Sequence, residues 1–419
     1  MKDATGPWRV GGAVSRGAPA GLAGGRTPPS IPNVPTPHTD TTEPISPTHR
    51  RTSRLPRRAV IGAASGVAAA GVLTPAVFAV TGGSDDGAPE AAPAAGADDS
   101  GPTERFATTR TEDTSGVTEA AVDFPLTYVG LRLPAGGDAA IRFTDADEGW
   151  QNLDRTADCG SANEGATLVA ARGASRFELR LPDDARDVAG LAVDTEHGAQ
   201  RARSVPGSPQ RMRGTRYLSR AEWGADESLR FDENGEPIGE LTYYPAQVVT
   251  VHHTATTNDY TDAAAEIRAI YTFHIQTNGW TDIGYHFLID REGHIYEGHY
   301  TGDDGIPAHD AEGDVITATH VGGMNSGNVG IALLGNLVEQ PPTDAARESL
   351  VTLIAVLSRF HGLDPRGETR FVNPVSGAER DVSVVSGHQD WMETECPGAV
   401  MYAELDAVRE AAAEAAGLR

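Results

Sequence analysis

Cysteine is nearly absent from this chain, with two in 419 residues. That excludes a disulfide framework as the source of stability, so each thiol needs another explanation. Lysine is scarcer still: Lys2 is the only one, and every other fixed cation is arginine. With the excess of alanine and glycine, that bias reflects coding composition more than chemistry. Aromatic residues make up 6% and hydrophobic residues 39%, too little for the whole chain to share one packed core. The length allows two to three domains, with part of the chain left unpacked. Positive charge is missing where polyanion binding would need it. Residues 1–58 hold nine Lys/Arg against three Asp/Glu, a net of +6, so the rest carries −31 within a total of −25. A surface that acidic argues against nucleic acid or anionic lipid as the main partner.

What is present is ordered in blocks. Residues 1–58 are rich in Pro, Gly, Thr and Ser without apolar periodicity, and read as a disordered basic leader. Arg57 and Arg58 precede an apolar run over 59–79 that closes on Val77-Phe78-Ala79. This is the outline of an export signal, with paired arginines suggesting the twin-arginine route, although Ala59-Val60-Ile61 departs from that pattern. Left uncleaved, the same segment would be a membrane anchor; either way the functional part is expected outside the cytoplasm. Residues 80–120 read as a flexible linker, 121–200 as a small all-β domain, 201–216 as a second linker and 217–419 as an α/β domain. The β-domain reading rests on alternation in Leu126–Leu133, Ala140–Thr144 and Phe177–Leu181. It holds no catalytic cluster, and Cys159 there is read as a lone free thiol.

In the α/β domain, 247–254, 284–290, 294–297 and 329–334 read as strands. Residues 261–276 carry a helical stripe at Ala264, Ile267, Ile270, Tyr271 and Ile275. A second helix opens at Thr343, and the Ala-rich segment 399–416 makes a third. The fold class expected is α/β, a mixed central sheet flanked by helices. His388 and Cys396 stand eight residues apart, the cysteine at the mouth of a Pro-Gly turn, a spacing at which an imidazole and a thiolate can hold a divalent metal. The missing ligand would come from the strand ending in His252 and His253. Alternation sends these two to opposite faces, so only one should be a ligand, and periodicity does not say which. If the segments meet, the chemistry is that of a zinc hydrolase.

Five motifs, spread over about residues 218–405, resemble the peptidoglycan recognition protein family, which includes phage-type N-acetylmuramoyl-L-alanine amidases. They are Ser219-Arg220-Ala221-Glu222-Trp223-Gly224-Ala225, Val251-His252-His253-Thr254-Ala255, Gly279-Trp280-Thr281-Asp282-Ile283-Gly284-Tyr285-His286-Phe287, Asn325-Ser326-Gly327-Asn328-Val329-Gly330-Ile331, and the pair His388 with Cys396. The resemblance implies a Zn²⁺ held by His252, His388 and Cys396, with Tyr285 and Thr394 catalytic and His320, Trp280 and Asn325 on the substrate groove. It implies hydrolysis of the amide between N-acetylmuramic acid and L-alanine, in a secreted, cell-wall-associated protein that acts as a monomer on muropeptides. The alternative is a recognition module that binds peptidoglycan without cleaving it. The β-domain is similar to an accessory region that precedes such domains in actinobacterial proteins. His253, His274 and His286 read as packing, Trp280 equally as a structural residue, and His294, His299, His309 and His361 as surface or loop.

Overall fold

The protein's computed structural model describes residues 101–134, 138–146, 149–153, 164–182, 185, 188–302 and 306–418. The leader, the export segment, Cys159 and the first part of the 80–120 linker lie outside the described residues.

The N-terminal part is a β-sandwich. Its strands are β1 (Arg110–Asp113), β2 (Glu119–Ala121), β3 (Tyr128–Pro134), β4 (Ala140–Phe143), β5 (Gln151–Asn152), β6 (Glu164–Ala170), β7 (Arg176–Arg180) and β8 (Ala189–Asp194). One sheet has the order β1-β8-β3-β6 and the other β2-β7-β4-β5. The period of two divides β3 between two environments. Val129, Leu131 and Leu133 point into the sandwich core with Ile141, Phe143, Phe177 and Leu179. Tyr128 and Gly130 point the other way, with Leu168, Leu191 and Val193.

Two expected linkers are corrected here. Within 80–120, Thr103–Ala107 is a strand, and β1 and β2 belong to the sandwich. Within 201–216, Gln200–Ser204 pairs antiparallel with Thr103–Ala107, and Gln210–Met212 forms a hairpin with Thr215–Tyr217. These strands are short and mostly exposed, so they lack the apolar alternation that marks a strand in sequence.

The α/β domain has a five-stranded mixed sheet. Its strands are β9 (Val248–His253), β10 (Phe287–Ile289), β11 (Ile295–Glu297), β12 (Asn328–Leu333) and β13 (Val385–Gly387). Their order is β11-β10-β12-β9-β13, all parallel except the β10–β11 pair. Every residue of β9 is buried, as expected of a central parallel strand covered on both faces. Helices α2 (Asp344–His361) and α3 (Ala399–Ala415) cover one face through Leu350, Leu353, Leu357, Met401 and Leu405. Thr343 caps α2 by accepting from Ala346 N at 3.1 Å, and Gly362, at φ 69°, ends it.

Helix α1 (Ala263–Gln276) covers the other face, and Asp262 caps it by accepting from Ala265 N at 3.0 Å. An amphipathic helix with one wet face is what its stripe predicts. Instead, residues 265–274 are all buried, because the sandwich covers the second face. Ile267, Ile270 and Phe273 pack in one cluster with Leu168, Leu191 and Val193 of the sandwich and with Leu288 and Ala332 of the mixed sheet. A Cβ on Gly130 would stand 2.4 Å from the Phe273 ring, so the close approach of β3 to α1 requires glycine there. The layers therefore run sheet, sheet, α1, mixed sheet, α2 with α3.

The polar residues of α1 find partners in this second interface. Arg268 donates to the carbonyls of Trp223 and Thr195 at 2.9 and 3.1 Å, and Tyr128 donates to Glu266. Glu266 is fully enclosed, its Oε1 has no hydrogen-bond partner, and burial pushes its carboxyl up to about 8. Because the folded value lies above the unfolded one, the contribution of Glu266 to stability is most favourable below about pH 4.5 and declines as pH rises toward about 8. The slope is at most about 1.4 kcal/mol per pH unit. Glu266→Gln keeps an acceptor for Tyr128 and removes the ionisation. It is expected to raise the melting temperature at pH 8 and to flatten the decline of stability between pH 5 and 8, read by thermal unfolding across that range. An unchanged slope would mean that Glu266 does not titrate differently in the two states.

Candidate metal centre

The register of two parallel strands sets the site. Val251 on β9 is level with Gly387 on β13, so His252 and His388 follow side by side. A Cβ on Gly387 would stand 2.7 Å from Tyr402 and 2.9 Å from Pro397, so only glycine lets the chain pass there. His388 then opens a single 3-10 turn. Asp390 braces that turn by accepting from Gly387 N at 2.8 Å and from the Tyr402 hydroxyl at 2.5 Å. Gln389 N donates to the Cys396 carbonyl at 2.9 Å, which closes the loop and brings the thiol back to the strand ends.

The result is one compact donor group. One ligand atom each from His252, His388 and Cys396 lies within 4.8 Å of the others, and all three residues are buried. Cys396 Sγ is 3.5 Å from His252 Nδ1, and the rings of His252 and His388 are 4.6 Å apart. A tetrahedral ion at about 2.3 Å from sulfur and about 2.0–2.1 Å from nitrogen would set those two donors about 3.5 Å apart. Both ring nitrogens of His388 are buried without a hydrogen-bond partner. Such an orphaned imidazole is costly in a protein interior and is accounted for by a ligand. Two imidazoles and a thiolate fit a divalent metal, with a fourth position left for a reacting group.

Of the two neighbouring histidines on β9, His252 joins this group. His253 faces away, its Nδ1 accepting from Leu337 N at 3.0 Å. His286 is a structural tie: its Nε2–H donates to Ile316 O at 2.8 Å and its Nδ1 accepts from Gly330 N at 2.8 Å. Burial holds it neutral, at about 3. His274 likewise accepts from Gly284 N at 3.0 Å. His299 and His309, expected as surface or loop residues, are both buried.

Tyr285 stands beside the donor group, its ring 5.4 Å from that of His252. Thr394 is half-buried, and its hydroxyl accepts from Cys396 N at 3.2 Å. The three residues expected on the groove make the following contacts. Trp280 is half-buried and lies against His274, with ring centroids 4.5 Å apart. The Asn325 amide oxygen accepts from the backbone N–H groups of His320 and Val321 at 2.9 and 2.7 Å, bracing its own loop.

His320 is buried behind His252 and does not line an open wall. Its Nε2 is 3.0 Å from the Asn328 carbonyl, and its Nδ1 is 3.0 Å from His252 Nε2. The carbonyl can only accept, so His320 carries its proton on Nε2 and presents a bare Nδ1. His252 must then donate from Nε2, which leaves the lone pair on its Nδ1 aimed at Cys396. Burial and the neighbouring imidazoles hold His320 well below the usual histidine range, consistent with this neutral form. The chain from Asn328 through His320 thus sets the tautomer of His252. Sequence spacing carries no signal for it.

Residues 242–399 match the N-acetylmuramoyl-L-alanine amidase family. This domain belongs to that family. The chain is 28% identical over 190 residues to human N-acetylmuramoyl-L-alanine amidase, covering 44% of this chain and 26% of the relative. It is 35% identical over 150 residues to human peptidoglycan recognition protein 3, covering 34% and 40%. The chain therefore spans well under half the length of those relatives. Among solved structures, the wild-type peptidoglycan recognition protein LB of Drosophila matches with 27% identity and a TM-score of 0.33, covering 46% of this chain and 93% of that one. The matched residues hold the mixed sheet, and the sandwich packs on α1 beside it.

Removing the acceptor behind His252 should loosen the site. His320→Ala is expected to weaken divalent-metal binding by about 10–100-fold while circular dichroism stays that of the wild type. A metal titration reads the difference, and equal affinity would show that His252 holds its orientation unaided.

Proposed function

We propose that the protein is a zinc-dependent N-acetylmuramoyl-L-alanine amidase, acting outside the cytoplasm on the bond between the lactyl group of N-acetylmuramic acid and the first L-alanine of the stem peptide. The observation that carries this is the joint placement of His252, His388 and Cys396 with Tyr285 beside them. A recognition module would need a binding surface but not a buried thiolate–diimidazole set with the orphaned nitrogens of His388. The preference of imidazole and thiolate donors selects zinc over magnesium or calcium.

Bound zinc would supply Lewis acidity, which lowers the pKa of water and polarises a carbonyl. The chain's own residues supply the rest. His252 and His388 are neutral donors, and His320 keeps His252 in the tautomer that presents Nδ1. Burial of the group excludes bulk water and strengthens every electrostatic contact inside it. The Tyr285 hydroxyl is the protein donor for the oxygen that gains charge as the amide carbon becomes tetrahedral. Thr394, tied to the turn through Cys396 N, offers a neutral hydroxyl and brings no charge. The step balances on the attacking water, whose oxygen would join the carbonyl carbon as the C–N bond breaks and whose proton would pass to the leaving amine. Location outside the cytoplasm rests on the apolar run at 59–79 behind Arg57 and Arg58.

Mass spectrometry of digested peptidoglycan tests the bond. Stem peptides with a free N-terminal L-alanine are expected, and none after chelation; disaccharides released from the glycan would sink the reading. Cys396→Ser should lose both zinc and hydrolysis. Tyr285→Phe should keep zinc and lower kcat by about 10²–10³-fold, the usual loss of one oxyanion donor.

A further inference from the structure

The connections of the mixed sheet part at its middle. The chain passes from β9 to β10 through α1 on one face, and from β12 to β13 through α2 on the other. β9 and β12 are parallel neighbours, in register from Val248 opposite Asn328 to His253 opposite Leu333. The segments that follow them therefore separate at the carboxyl ends of the strands, the place where open α/β sheets hold a ligand crevice. A cavity of about 350 Å³ lies there. Its walls come from the loop after β9 at Asn258 and Tyr260, the loop after β12 at Leu337 and Pro342, and the turn after β10 at Arg291 and Glu292. It shares no lining residue with the metal donors, Tyr285 or Thr394.

The cavity is held in shape by its own hydrogen bonds. Asn258 Oδ1 accepts from Asn336 N at 2.8 Å, and Asn258 Nδ2 donates to Asn336 O at 2.9 Å. Leu337 N donates to His253 at 3.0 Å, which pins the second loop to β9. The backbone of Arg291 is fixed on both sides, its N–H donating to the Tyr260 hydroxyl at 2.8 Å and its carbonyl accepting from Thr343 at 2.5 Å. The floor is apolar, with Leu337 and Pro342 buried. At the rim the Arg291 guanidinium lies 5.4 Å from the Tyr260 ring and is 46% exposed. It gives Nε to Glu292 at 3.0 Å and Nη1 to the Asn258 carbonyl at 3.2 Å, so Nη2 has no partner among the described residues.

We infer that this cavity is a second ligand site, separate from the metal centre, for a small amphipathic carboxylate. The apolar body of the ligand lies on Leu337 and Pro342, and its carboxylate takes the unused Nη2 of Arg291. A preformed concave site with an apolar floor and one placed charge is the usual form of a small-molecule pocket, and its volume falls in the range of such pockets. Because the walls are already ordered, binding costs little rearrangement. The guanidinium sets the sign of the ligand: Glu292 is already its neighbour, so a cation arriving at the rim would meet Arg291 directly, whereas a carboxylate would be drawn to it. The inference stands without the amidase reading.

Calorimetry on the full chain tests this with octanoate, and with 1-octanol and octylammonium, which share its apolar body. Octanoate should bind about tenfold more tightly than the other two, with the same affinity before and after the metal is removed by a chelator. Arg291→Ala should bring octanoate down to the affinity of 1-octanol. Gln340→Trp, which fills the mouth of the cavity, should weaken octanoate and 1-octanol alike by about tenfold. Thermal unfolding checks that both variants are folded; if Arg291→Ala is not, Gln340→Trp carries the test. No octanoate binding to the wild type, a preference for octylammonium, or wild-type affinity in the folded variants would each overturn the site. Octanoate binding that disappears with the chelator would place the carboxylate on the metal, and would overturn it as well.

Discussion

The parallel pairing of β9 with β13 is the constraint on which the rest of the site depends. Val251 opposite Gly387 is the register that brings His252 and His388 level. A slip of one residue would turn every side chain of a strand to the other face, replacing His252 with His253 beneath the loop. The register is held from both sides. β9 is buried between β12 and β13, with Thr250 donating to Asn328 at 2.8 Å beneath the histidines. The absence of a side chain at Gly387, and the Asp390 brace on the following turn, let His388 and Cys396 share one small volume.

The second organising element is α1, enclosed by the mixed sheet and the sandwich together. A helix buried on both faces must satisfy its polar side chains within the protein, and the two terminal nitrogens of Arg268 do so on carbonyls of Trp223 and Thr195. Glu266 does so only in part, and stays neutral as a consequence. This shared core makes the sandwich a structural partner of the amidase domain. It also sets β6 alongside residues 254–256, the segment that leaves β9.

Much of the amidase domain was legible beforehand. The run of Val and His in β9, the capped stripe of α2 and the Ala-rich α3 each carry their own periodicity, and the structure keeps them within a residue or two. The donor residues could be named because cysteine is scarce and the motifs around the histidines are specific. The strands within 103–121 and 200–217 were read as linker, since exposed two-sided polar strands take their stability from their pairing partner. His320 and Asn325 were assigned to the groove from the motifs; their partners, His252 at 68 residues' separation and the loop backbone, carry no mark in the sequence.

By itself, then, the sequence determined the elements with a strong apolar period, the chemical identity of the donors and the sign of the surface charge. These are local properties, set by side-chain type and spacing along one stretch of chain. The tertiary structure alone decided which of two adjacent histidines faces the thiol, which tautomer it adopts, that α1 has no wet face, and that a sandwich strand lies beside residues 254–256. Each of those depends on strand register and on the packing of segments more than sixty residues apart, and no local pattern encodes them.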